Sequence, residues 1–98
     1  MAPPENETRL DEAALARLLA AGAWRRDGNT ITRTFTLKGF KGAMSFANRV
    51  AEAANEANHH PDIHIESYRT VRVVLTTHLT GNISDADVEL ALQIDKLA

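Results

Sequence analysis

Hydrophobic residues recur along this chain with a period that changes four times, and each change marks a new structural element. Leu15, Leu18 and Leu19 fall at helical spacing behind Asp11, a residue suited to an N-cap. Leu10 and Leu15 form a hydrophobic staple and Gly22 closes the segment, so a first helix of about eleven residues is expected. Trp24-Arg25-Arg26 and Thr30 to Leu37 then read as two strands joined at Asp27-Gly28, a dipeptide suited to a type I′ turn. Ile31, Phe35 and Leu37 share one face of the second strand and Thr30, Thr32, Thr34 and Thr36 the other, with Arg33 interrupting the apolar row. From Phe40 the spacing returns to three and four through Ala43, Met44, Ala47, Val50, Ala51 and Ala54, which predicts a long central helix. It should stop near Asn58, because Pro61 pushes His60 out of the helical region. Ile63 and Ile65, then Val71, Val73 and Leu75, alternate with polar neighbours around a turn near Tyr68 and predict a second hairpin. Ser84, with Asp87 three residues on, starts a last helix whose apolar side is Val88, Leu90, Ala91, Ile94 and Leu97.

The order α-β-β-α-β-β-α in a chain of 98 residues implies an α+β fold, a four-stranded antiparallel sheet with three helices packed on one face. The opposite face then lacks cover. Half-covered sheets are commonly managed by pairing with another subunit, so a homo-oligomer is expected. Residues 1–9 read as a disordered tail and residues 10–98 as one domain, large enough to bury about 65% of its unfolded surface.

Composition narrows the chemistry. Eleven Lys and Arg against thirteen Asp and Glu leave a net charge of −2, which argues against direct nucleic-acid binding. There is no cysteine, hence no thiolate nucleophile, thiolate zinc site or disulfide framework. The opening residues carry neither a basic nor an apolar signal region, and no apolar run approaches the ~20 residues of a membrane span, so a cytoplasmic protein without membrane partners is expected.

The titratable groups that stand out are His59, His60 and His78; imidazole alone exchanges protons near neutrality without a shifted pKa. His59 and His60 end the central helix and His78 is expected to end the strand from Thr70, so a sheet beside that helix could gather all three on one rim. Helix capping by His59 and His60 and a solvated strand end at His78 are the structural alternatives. A metal site is not expected, since Pro61 breaks the helix that would align His60 with His64. His64 itself reads as a surface strand residue. Phe40, Met44 and Phe46 read as core or subunit interface and Trp24 as a packing anchor. Arg25, Arg26 and Arg33 suit either an acidic partner or a solvated edge.

The run Asn58-His59-His60-Pro61-Asp62, with Tyr68 seven positions after Pro61, His78 ten further on and Asp87 nine beyond that, resembles the active-site signature of pterin-4a-carbinolamine dehydratases. The resemblance, which extends to the element order from Leu10 onward, implies a cofactor-independent hydro-lyase. Its reaction would convert 4a-hydroxytetrahydropterin to the quinonoid dihydropterin, in tetrahydrobiopterin recycling for an aromatic amino-acid hydroxylase. By the family's pattern His59 and His78 would be the acid and base candidates, His60 would position the pterin and Asp87 would support the site. Asn55, Pro61 and Tyr68 would contact substrate, and the assembly would be a homodimer or homotetramer. Asn55 departs from the pattern, which usually has a charged residue there; asparagine can hydrogen-bond but cannot act as an anion. The resemblance also admits a different class of function, a non-catalytic oligomerisation cofactor or assembly chaperone. Retention of the three histidines argues for chemistry.

Overall fold

In the computed structural model, which describes residues 4–98, the elements follow the expected order behind a short amino-terminal turn. They are a 3-10 turn at Glu5–Glu7, α1 (Glu12–Ala20), β1 (Arg25–Asp27), β2 (Thr30–Thr36), α2 (Phe40–Ala57), β3 (Asp62–Glu66), β4 (Thr70–Leu75) and α3 (Asp85–Asp95). The turn at Glu5–Glu7 departs from the disordered tail expected over residues 1–9, of which residues 1–3 lie outside the described residues. Asn6 Nδ2 donates to Glu89 Oε1 at 3.0 Å, and the Asp85 amide donates to the Arg9 carbonyl at 2.9 Å, so this segment is docked on α3. Local polarity alone gives no sign of these contacts, because their partners lie some eighty residues away in sequence.

Asp11 caps α1 as expected, accepting hydrogen bonds from the Ala13 and Ala14 amides, although the helix has nine residues. In the first hairpin Asp27 pairs with Thr30, which moves the two-residue loop to Gly28-Asn29. Gly28 has φ +59° while Asn29 is not among the residues with positive φ, the pattern of a type II′ turn with glycine first. The one-residue shift puts the position that needs positive φ on the residue with no Cβ.

The sheet order is β1-β2-β4-β3, all neighbours antiparallel, so the two hairpins join through β2 and β4. Ile31 faces Leu75, Phe35 faces Val71, and Ile63 and Ile65 face Val73 and Val71. Directly opposed residues share a face, and this face meets Leu15 and Leu18 of α1, Phe46 and Val50 of α2, and Leu90 and Ile94 of α3 in one core. Phe35 and Phe46 pack with ring centroids 4.6 Å apart.

Arg33 lies in this apolar row because α3 ends beside it. Its guanidinium passes 4.3 Å from the Phe35 ring centroid and donates to Asp95 Oδ1 at 2.6 Å. Buried Trp24 donates its indole N–H to the same oxygen at 2.8 Å. The interruption seen in the sequence is thus the sheet side of an ion pair, with the charged head carried to the core margin on a packed stem. Of the helix residues expected in core or interface, Phe46 is fully buried, whereas Phe40 and Met44 are 57% and 40% exposed. No helix among the described residues is long and apolar enough to cross a membrane.

Candidate active site

Two chain reversals build the site. At the end of α2, Asn58 adopts a left-handed conformation (φ 51°), and the His59 amide returns to the Ala54 carbonyl at 3.1 Å, closing the helix. His59 is buried beyond this reversal, while His60, held extended by Pro61, is exposed. At the start of α3, where Ser84 is the N-cap as expected, its amide donates to Asp87 Oδ2 at 2.9 Å, one arm of a capping box.

Asp87 is wholly buried and joins these two reversals. Its Oδ1 lies 2.6 Å from His59 Nε2, and its Oδ2 also accepts from Thr77 Oγ1 at 2.7 Å. Thr77 in turn meets Ser84 Oγ at 2.6 Å. On the other side of the imidazole, Glu7 Oε1 stands 3.2 Å from His59 Nδ1. Both ring nitrogens therefore face carboxylate oxygens. A neutral imidazole has one N–H and could serve only one of them, so this arrangement fits the imidazolium. The hydrogen bond to Asp87 is the main cause raising the His59 pKa above its ordinary 6.5; burial opposes it, and Glu7 adds to the increase. Among the described residues no buried side-chain polar atom lacks a partner.

His60 Nε2 meets Asn55 Oδ1 at 3.2 Å, so the ring donates there and Nδ1 has no further partner among the described residues. His78 is exposed and lies three residues beyond the end of β4, in the turn after Thr77, instead of ending the strand as expected. The backbone of Thr77 is held by a bridge to Asn82, its amide donating at 2.9 Å. Thus the exposed imidazoles, His60 and His78, each follow a residue gripped by the same carboxylate.

Tyr68 is not part of this arrangement within one chain. It sits 61% exposed in the turn between β3 and β4, where Glu66 pairs with Thr70. Asp62, near the histidines, is at the other end of β3, roughly 13 Å away at the usual rise per strand residue. Pro61 follows His60 in the chain, and Asn55 lies against its ring.

Sequence reasoning missed Glu7 and Thr77. Thr77 had one usable signal, its place beside His78 in a segment of alternating burial; Glu7 had none, since a carboxylate in a polar lead-in looks solvated. A cavity of about 160 Å³ borders His59 and is lined also by Asn6, Ala57, Glu89 and Gln93. A larger hollow, about 610 Å³, lies over β1 and β2 among Arg25, Arg26, Arg33 and Arg72, and none of His59, His60 and His78 lines it.

Residues 8–97 match the family described as Pterin 4 alpha carbinolamine dehydratase. A protein of Thermomicrobium roseum provisionally named pterin-4-alpha-carbinolamine dehydratase is 48% identical over 91 residues, 92% of this chain and 97% of its own length. One from Nocardia farcinica, with the same provisional name, is 44% identical over 88 residues, 90% of this chain and 92% of its own. Among solved structures, a transcriptional coactivator/pterin dehydratase from Brucella melitensis superposes with a TM-score of 0.79 at 30% identity, covering 92% of this chain and 98% of that one. A pterin dehydratase-like protein described as a RuBisCO assembly factor in the alpha-carboxysome shares the fold, with a TM-score of 0.65 at 22% identity over 78% of this chain and 89% of that one.

Proposed function

The chain belongs to the pterin 4 alpha carbinolamine dehydratase family, and on that premise we propose that it removes water from a 4a-hydroxytetrahydropterin to give the quinonoid dihydropterin. A donor passes a proton to the 4a hydroxyl, the C4a–O bond breaks with its electron pair leaving in water, and a ring nitrogen supplies the pair for the new C=N bond. The proton on that nitrogen goes to a base. Only a positioned proton donor and acceptor are needed, and imidazoles suit both roles near neutrality.

The observation that carries this reading is the Asp87 brace, which grips His59 and Thr77 and so fixes the backbone beside both exposed imidazoles. His60 and His78 are the groups able to meet substrate. His59, which the family pattern offers as an acid or base, has both nitrogens engaged by Glu7 and Asp87, so its proton-transfer role passes to His60 and it serves as the charged centre of the brace. Asn55 orients His60.

The test is the decay of freshly generated 4a-hydroxytetrahydropterin, followed by ultraviolet absorbance at neutral pH. Wild-type protein should accelerate it, and His60→Ala and His78→Ala should each lose roughly two orders of magnitude while remaining folded. Full activity in either variant would remove that histidine from the mechanism. A binding role, as the Brucella melitensis relative's description as a coactivator suggests, would instead show as no acceleration together with a stoichiometric protein partner. The reading includes self-association, supported by the sheet face bearing Thr32, Thr34 and Arg72, which lies opposite the helices.

A further inference from the structure

The family match begins at residue 8, yet a residue just before it reaches the centre of the site. Glu7 comes from the Glu5–Glu7 turn, and its carboxylate, 18% exposed, stands 3.2 Å from His59 Nδ1. The turn buries no residue of its own, so its placement comes from polar contacts. Asn6 holds Glu89 at 3.0 Å, the Asp85 amide holds the Arg9 carbonyl at 2.9 Å, and the Asp11 amide holds Asp85 Oδ1 at 2.7 Å. Three contacts to one face of α3 thus place a carboxylate against the ring nitrogen that Asp87 does not engage.

We infer that Glu7 is a positioning residue for the dehydration, keeping His59 doubly protonated so that the Asp87 brace holds His60 and His78 in place; this rests on the functional reading above. With Glu7 present, both N–H groups of His59 have anionic acceptors, one from the amino-terminal turn and one from α3. Without it, Nδ1 of the buried ring loses its acceptor, the imidazolium loses one of its two stabilising charges, and the neutral ring becomes the easier state. A neutral His59 would keep its single proton on Nε2 towards Asp87 Oδ1, 2.6 Å away, but the bond would lose its cationic donor, and that brace would weaken. Weakening it loosens the segment of His60 directly, and that of Thr77 and His78 through the carboxylate they share. The charged groups facing His59 are Glu7 from the turn and Asp87 from α3, with Glu89 of α3 lining the adjoining cavity; α2 contributes Ala57 there. The effect therefore resides in Glu7 and Asp87, of which only Glu7 lies outside the family match.

The experiment pairs two readouts on wild type and Glu7→Gln, with Glu7→Asp in reserve if the first variant does not fold. One is the titration of His59 ring nitrogens by 15N-correlated NMR, which needs no substrate. The other is the pH profile of kcat for 4a-hydroxytetrahydropterin dehydration. The expected result is a His59 midpoint moved to lower pH in Glu7→Gln, with the alkaline limb of kcat moved in step. Activity should be nearly equal to wild type at the acid end and about tenfold lower at the alkaline end, less than the ~10²-fold loss of a proton-transfer group. A merely structural tether would lower activity evenly across pH. An unmoved His59 midpoint, or a moved midpoint with an unmoved kcat profile, would overturn the inference while leaving the dehydratase reading intact. Wild-type protein that does not accelerate dehydration would overturn that reading, and the inference with it, even where the NMR shift is seen.

Discussion

His59 shows how a residue can be found by spacing while its surroundings stay hidden. The signature that includes His59, His60, His78 and Asp87 is legible because its members stand at fixed separations along the chain. What spacing does not contain is that the left-handed turn at Asn58 sends the first histidine inward and leaves the second outside. The inward one has a consequence for stability. Folding raises the His59 pKa above 6.5, chiefly through its hydrogen bond to Asp87, so the folded chain holds a proton that the unfolded chain releases more readily. The resulting stabilisation is complete below about pH 6.5 and is lost as pH rises through the raised value. Urea unfolding across that window should show a falling midpoint in wild type and a flatter one in His59→Gln. A slope that survives the substitution would assign it to another group.

Elements were legible wherever their signals are local. Asp11 and Ser84 were readable as caps because a cap acts within three residues, and the end of α2 followed from Pro61. The errors are also local in scale. Asp27-Gly28 was placed one residue early because the dipeptide rule does not say which strand residue closes the ladder. His78 was put at a strand end because alternation continues through Thr77 after pairing with β2 and β3 has stopped. Asn58 provides a test at this scale. Its φ of 51° suits asparagine or glycine, so Asn58→Gly should leave unfolding midpoints nearly unchanged, whereas Asn58→Val should cost about 1–2 kcal/mol. Equal effects of the two substitutions would show that the cap conformation does not matter to the fold.

At the scale of the molecule, the layer arrangement could be read from the order of elements, but the partners of charged residues could not. Arg33 with Asp95 and Glu7 with His59 join positions 62 and 52 residues apart, and no periodicity announces such pairs. The strand order places β2 and β4 in the middle and leaves β1 and β3 as edges. The face opposite the core carries Thr30, Thr32, Thr34, Thr36 and Arg72 across the central strands. Self-association through this side should appear in light scattering at micromolar concentration as a mass at least twice that of one chain; a monodisperse monomer would contradict it.

Asp87 gives the molecule a single latch. The amide of Ser84, the hydroxyl of Thr77 and the ring of His59 all close on this carboxylate, so the first turn of α3 cannot fray by itself without undoing the ground on which His60 and His78 stand. On the proposed mechanism, loss of function and local opening are then one event seen from two sides. The lifetime of the Ser84 amide against exchange with solvent becomes a clock for how long each molecule stays competent between openings. A sample warmed gently would lose competence while most of its sheet still held its protons.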